Sequence, residues 1–268
     1  MSFENFHNAE RDGWDARAVG YADATALATL QIVPAMLEAL KLRAGQRLLD
    51  IACGPGYVAG AASALNVIAE GIDFAPQMIA LAKARFEGVT FQVGDVQSLP
   101  YPDNSFDAMA CNIGLFHVAD TQAALGEIAR VTRPGGRFAF SQWAAPAESE
   151  LYAALFGVLK SNADMTLADP APDAYRLSDP AIVETLMSDA GFGDFKTKRL
   201  STTLIATGDD FFDFFMKFGV RVPLIIKAQT EAVQATLRHE MNAAMARYKT
   251  QTGFEVPMPS LLYSGVMT

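Results

Sequence analysis

Between Gln46 and Trp143, short apolar runs alternate with stretches whose apolar residues recur at helical spacing. Arg47–Ala52 (RLLDIA), Val67–Ile72 (VIAEGI), Val89–Val93 (VTFQV), Phe106–Ile113 and Arg137–Gln142 (RFAFSQ) have the length and apolar content of buried strands. Between them, Tyr57–Leu65, Ala75–Phe86 and Thr121–Thr132 predict helices. Pro76 falls in the first turn of the second of these, where its missing N–H is harmless. Asp120 is placed to cap the third. Strands separated by helices predict an α/β fold with a parallel, doubly wound sheet and right-handed crossovers.

The flanks read differently. Residues 1–45 predict an N-terminal helical cap, with Ala24–Leu42 its longest piece. Residues 148–160 and 179–190 predict two more helices, the second with Pro180 near its start and Gly191 just past its end. Phe195–Ile205 reads as a strand, rich in β-branched residues. Asp209–Arg247 reads as helical, with Val233, Leu237, Met241 and Met245 on one stripe, and Leu261–Met267 (LLYSGVM) as a last strand. The expected organisation is a core of 46–206 and 258–268, seven-stranded and mostly parallel, with helices on both faces. Residues 207–257 are expected to be a helical insertion that forms a lid over an acceptor.

The candidate chemistry begins at Cys53-Gly54-Pro55-Gly56, between the first predicted strand and the first predicted helix. Glycines there allow a tight turn and a close approach of ligand to backbone, and the free N–H groups of the helix start face that ligand. Gly54-x-Gly56-x-x-Ala59 also fits the dinucleotide fingerprint. Three acids separate the possibilities. Asp50 lies at the end of the first predicted strand, where a carboxylate would repel a pyrophosphate and suits an ammonium group. Asp73 closes the second, where a carboxylate can accept from both ribose hydroxyls. Asp95 ends the third, where it can accept from an adenine amino group. Together they describe a ligand with an amine, a ribose, an adenine and no phosphate.

These residues also carry a family resemblance. Leu49–Gly56 (LDIACGPG) resembles motif I of the class I S-adenosylmethionine-dependent methyltransferases, and Gly71–Met78 (GIDFAPQM) resembles their acidic second motif. Gly94–Tyr101 (GDVQSLPY) with Asn104–Asp107 (NSFD) resembles the third, and Arg130–Gly136 (RVTRPGG) the turn before the fifth strand. The pattern is similar to the small-molecule methyltransferases of the ubiquinone and menaquinone biosynthesis type, over roughly residues 14–143. The resemblance implies a Rossmann-like fold and S-adenosyl-L-methionine as cofactor. It further implies that Ala52, Gly54 and Gly56 line the methionine portion, Asp50 orients the amine and Asp73 holds the ribose. Phe74 and Met78 would pack near the adenine, Asp95 and Val96 would meet its edge, and Asn112 and Gly114 would lie under the sulfonium. Trp14 and Tyr21 would close over the cofactor. The segment Asn112–Phe116 (NIGLF) lacks the Pro-Pro-aromatic box of methyltransferases that modify nucleobase amines, and only His117 stands where relatives often have paired histidines.

Composition narrows the partners. Half of the 268 residues are apolar and 19% are charged, which sets disorder aside. Thirty acidic against 21 basic residues leave a formal charge of −9, which disfavours nucleic acid and anionic membrane. Cys53 and Cys111 suit a reducing interior, and His7, His117 and His239 are too scattered for a metal site. Met1–Gly13 carry no apolar signal core, and Gln31–Leu42 is too short and too interrupted to span a bilayer, so a cytoplasmic enzyme is expected. The expected reaction is in-line methyl transfer to a small apolar or aromatic molecule. His117 is the candidate general base; a capping or packing histidine is the alternative. Phe211, Phe214, Phe215 and Phe218 share a helix face that either lines an acceptor pocket or packs the lid, and Met216, Met241 and Met245 would make it adaptable. The aromatic C-terminal half is also a candidate homodimer contact. The competing functions are an NAD(P)-dependent oxidoreductase, for which no Tyr-x-x-x-Lys pair is present, and a non-catalytic cofactor-binding regulatory protein.

Overall fold

The computed structural model describes residues 3–268; Met1 and Ser2, with which the expected N-terminal cap begins, lie outside the described residues. The strands are β1 (Arg47–Ile51), β2 (Ile68–Asp73), β3 (Thr90–Val93), β4 (Phe106–Cys111), β5 (Thr132–Trp143), β6 (Phe192–Leu200), β7 (Thr203–Thr207), β8 (Gly253–Pro257) and β9 (Ser260–Met267). Seven form one sheet in the order β3-β2-β1-β4-β5-β9-β6; β7 and β8 pair separately. β1 to β5 run parallel, and β9 enters antiparallel between β5 and β6. The helices before β5 are α1 (Glu4–Arg17), α2 (Thr25–Thr29), α3 (Val33–Leu40), α4 (Tyr57–Ser63), α5 (Pro76–Arg85) and α6 (Thr121–Val131). Those after it are α7 (Glu150–Asn162), α8 (Pro180–Asp189), α9 (Phe211–Phe218), α10 (Arg221–Lys227) and α11 (Glu231–Met245).

The doubly wound arrangement follows from strands that are apolar on both sides. Along β1, Leu48 belongs to the core shared with α3 and α4 on one face, while Leu49 and Ile51 belong to the separate core shared with α6 on the other. A strand buried on both faces is the mark of a parallel sheet covered by helices. The winding reverses between β1 and β4, so their carboxyl ends diverge and a crevice opens there. Asp120 caps α6 by accepting from Gln122 N–H and Ala123 N–H.

Three predicted elements are broken. Ala24–Leu42 is two short helices, because Pro34 opens α3 and cannot continue the turn before it. The longest N-terminal helix is instead α1. Phe195–Ile205 leaves the main sheet after Leu200, and Thr202 and Met258 exchange hydrogen bonds at the foot of the β7–β8 ribbon. Asp209–Arg247 is three helices, divided at Gly219 and at Ala228–Thr230. The ribbon brackets α9 to α11.

Candidate active site

The loops after β1 and β4 meet at the mouth of the crevice. Ala52 and Ile113 both hold positive φ, 48° and 56°, a conformation that costs a residue with a Cβ on the order of 1–3 kcal/mol. Gly114 lies between them; a Cβ there would stand 2.7 Å from the Ala52 Cβ and 2.9 Å from the Cys111 sulfur. A cavity of about 390 Å³ opens above these loops, lined by Ala52, Gly54, Asp73, Asp95 and Gly114 among others. At Gly54 (φ 51°) a Cβ would meet only the tip of the Tyr21 ring, at 3.9 Å, so the glycine keeps cavity space open. At Gly56 (φ 80°) it would stand 2.6 Å from the Phe91 ring. Gly56 therefore serves packing beneath the loop, and it does not line the cavity.

The three acids divide in the same way. Asp73 lines the cavity and ties the loop to the second strand, accepting from Gly54 N–H at 2.8 Å and Ala75 N–H at 2.9 Å. Burial raises its carboxyl to about 6, against those two hydrogen bonds and the nearby His117. Asp95 also lines the cavity, held by Gln97 through its backbone and side-chain N–H groups. Asp50 does not reach the cavity. It shares the Leu48 side of β1, where Oδ2 accepts from Ala59 N–H of α4 at 3.0 Å and Oδ1 has no partner among the described residues. Burial pushes its carboxyl up to about 8, with a smaller contribution from the charge of Asp73. The reason is the strand's alternation: Asp50 lies within β1, one residue before its end, and points sideways into α4.

α1 closes the cavity from above. His7 stands 3.6 Å from Asp95 and edge-on to Phe74, and Trp14 and Tyr21 line the wall. Asp15 accepts from Gln77 N–H at the start of α5, which pins the helix down. Glu10, on the buried side of α1 and only 2% exposed, receives the Trp14 indole N–H at 3.1 Å and lies 2.7 Å from His117 Nδ1. Beyond His117 the wall becomes aromatic. Trp143, Tyr152, Phe156, Tyr175, Phe215 and Phe218 face the cavity. The phenylalanine run divides: Phe215 and Phe218 line the space, while Phe211 packs on Phe254 of β8. Met216, Met241 and Met245 do not line the cavity: Met241 and Met245 turn into the core with the α11 stripe, and Met216 packs against that core from α9.

Residues 49–140 match the family described as a methyltransferase domain. The demethylmenaquinone methyltransferase of Beutenbergia cavernae is 32% identical over 183 residues, which is 64% of this chain and 76% of that protein. The chain belongs to the class I S-adenosylmethionine-dependent methyltransferases. The 27-O-demethylrifamycin SV methyltransferase of Amycolatopsis mediterranei is 35% identical over 147 residues, 52% of each chain. Among solved structures, the YcgJ protein of Bacillus subtilis shares the fold with a TM-score of 0.58 at 22% identity, covering 88% of this chain and 97% of that one. The methyltransferase thus takes S-adenosyl-L-methionine, and the oxidoreductase and regulatory alternatives fall away.

The lining suits that cofactor on its own terms. Asp73 and Asp95 contribute carboxylates beside the open space at Gly54, as a ribose and an adenine require; the one arginine of the lining among the described residues, Arg221, donates to Asp169 C=O. Of the residues expected in the methyltransferase's site, Trp14, Tyr21, Ala52, Gly54, Asp73, Phe74, Met78, Asp95, Val96, Asn112, Gly114 and His117 line this one cavity; Asp50 and Gly56 stand behind it. Asn112 lines it with its amide already engaged: the N–H group donates to Thr29 C=O and the oxygen accepts from Ser141. Sequence reasoning missed Glu10 and His7. Their signal was faint, polar residues one helical turn apart beside Phe6.

Proposed function

We propose that the methyltransferase acts on a small apolar or aromatic molecule held against Trp143, Tyr152, Phe156, Tyr175, Phe215 and Phe218, with the cofactor held at Gly54, Asp73 and Asp95. The observation that carries this reading is the continuity of one cavity from the two carboxylates to the aromatic wall, with His117 lining it. Bound S-adenosylmethionine supplies a methyl group on a cationic sulfonium. The protein's residues orient and exclude. Asp73 presents its remaining lone pairs to a ribose diol, Asp95 those to an adenine amine, and Val96 and Met78 cover the base. Trp14 and Tyr21 close the site to water, which concentrates the effect of alignment; proximity and orientation supply ~7–11 kcal/mol in favourable cases. Residues 207–257, in which α9 to α11 are bracketed by the β7–β8 ribbon, act as the acceptor lid, and 3–45 as the cap over the cofactor. That B. cavernae's relative is a demethylmenaquinone methyltransferase supports an aromatic acceptor. The formal charge of −9 supports a small molecule over a nucleic acid. Among the described residues no helix is long and apolar enough to cross a membrane. The test is calorimetry with S-adenosylhomocysteine on the wild type and Phe218→Ala, with mass spectrometry of a panel of hydroxylated aromatics. Binding by both proteins, with altered acceptor KM only in the variant, is expected. Loss of cofactor affinity in Phe218→Ala would remove the division of the cavity.

A further inference from the structure

We propose that Glu10 is a positioning residue that holds His117 as the tautomer protonated on Nδ1, so that the bare Nε2 takes the proton of a hydroxyl acceptor. This rests on the acceptor site proposed above and narrows its substrate to an O–H nucleophile. A carboxylate buried to this degree is costly to desolvate unless it is paired. Glu10 Oε2 has two partners, the Trp14 indole N–H and His117 Nδ1. At 2.7 Å from a carboxylate oxygen, which only accepts, a bare Nδ1 would set two lone pairs against each other, so this close approach favours the proton on Nδ1. Whenever the ring is neutral, this leaves its lone pair on Nε2. Among the described residues no hydrogen bond occupies Nε2, and His117 lines the cavity.

Docking of α1 does not require this carboxylate. Phe6 is buried beside it and Asp15 already fastens the helix to α5. Two other cations lie within electrostatic reach of Glu10, Arg17 and Arg221, and neither comes within ion-pair distance. His117 is its one close cation-capable partner among the described residues. In the transfer step the acceptor O–H bond breaks and its proton passes to Nε2. The oxygen's electron pair forms the bond to the transferred methyl carbon, and the methyl–sulfur pair stays on sulfur. The resulting imidazolium lies against the Glu10 carboxylate. A tertiary amine or a thioether has no proton to give and gains nothing from this pair.

The experiment reads the tautomer first, by 15N NMR of selectively histidine-labelled, ligand-free protein at pH 8. Wild type and Glu10→Gln should carry the proton on Nδ1, and Glu10→Ala should shift it to Nε2. The second arm offers three matched acceptors: 2-naphthol, N,N-dimethyl-2-naphthylamine and 2-(methylthio)naphthalene. Only the naphthol should be methylated. His117→Asn should lower its kcat by about 10²-fold or more, within the range of general-base catalysis. Glu10→Gln should lower kcat with KM unchanged. An Nε2-protonated ring in the wild type, preference for the amine or thioether, or no methylation of the naphthol overturns the inference. Failure of S-adenosylhomocysteine to bind the wild type would instead overturn the cofactor site on which it stands.

Discussion

Acidification from pH 7 to pH 5 should weaken S-adenosylhomocysteine about tenfold, through one carboxylate. Asp73 titrates near 6 in the folded, ligand-free protein, raised from an ordinary 3.8 by burial. Its oxygens already receive Gly54 and Ala75 N–H groups, and a ribose diol adds two further donors. Four donors around one carboxyl favour the ionised form. Binding at pH 5 must therefore first remove a proton from most of the molecules, at about 1.4 kcal/mol per pH unit below the midpoint. Asp73→Asn leaves one accepting oxygen, so one backbone N–H then faces an amide N–H. Hydrogen bonds to a charged group are worth roughly 1.5–3 kcal/mol each, so its affinity should fall about 10- to 100-fold at pH 7.5. The pH slope should vanish in the variant. Folding responds in the opposite sense. A carboxyl raised in the folded state contributes most stability below its ordinary range and loses it as pH rises through 6, so the ligand-free protein weakens over the window in which binding strengthens. Calorimetry between pH 5 and 7.5 on both proteins decides the matter. A flat wild-type profile, or an equal slope in Asp73→Asn, refutes the reasoning.

Asp50→Asn should leave the cavity intact and change stability with pH. The carboxyl, raised from 3.8 to about 8 by burial, favours the fold when protonated and costs stability as pH rises through 8. At pH 9 the asparagine variant should be more stable in urea by on the order of 2 kcal/mol, after allowance for its own unpaired amide group, and the advantage should disappear at pH 4. Gly56→Ala should lower stability by about 2–4 kcal/mol in thermal melts, from a left-handed Cβ and its clash with Phe91. Gly54→Ala, with open space before it, should cost only about 1–2 kcal/mol of stability yet weaken S-adenosylhomocysteine more than Gly56→Ala does.

What was legible in the chain was what local periodicity encodes. The five parallel strands, the glycine turn, and the carboxylates at Asp73 and Asp95 all sit where an apolar run stops, and a parallel strand's end is where this fold opens. Asp50 was misplaced for a reason the same periodicity contains: it falls on the Leu48 side of β1, and that side is covered by α4. Glu10 was not legible. Residues 4–17 read as a polar helix, and spacing alone does not show whether a glutamate meets water or a buried imidazole. Asn112 is a third kind of case. Its position was right, yet its amide is spent on Thr29 and Ser141, partners far away in the chain.

The division of labour in this enzyme follows from which parts are rigid. β1 and β4 are hydrogen-bonded neighbours buried on both faces, and that support holds Ala52 and Ile113 in left-handed conformations that an isolated loop would abandon. The strained turns bend the backbone aside and open the space beside Gly54. Every residue of this floor that is proposed to hold the cofactor lies within 49–140, the span that matches the methyltransferase family. Glu10, Trp143, Tyr152, Tyr175, Phe215 and Phe218 all lie outside it. Helix α1 and the elements after β5 rest on the floor through side-chain contacts, and these can be exchanged without disturbing the strained turns. One family can therefore keep its cofactor chemistry while its members differ in acceptor, and the groups proposed above to face the acceptor in this chain are the aromatic wall and the Glu10–His117 pair.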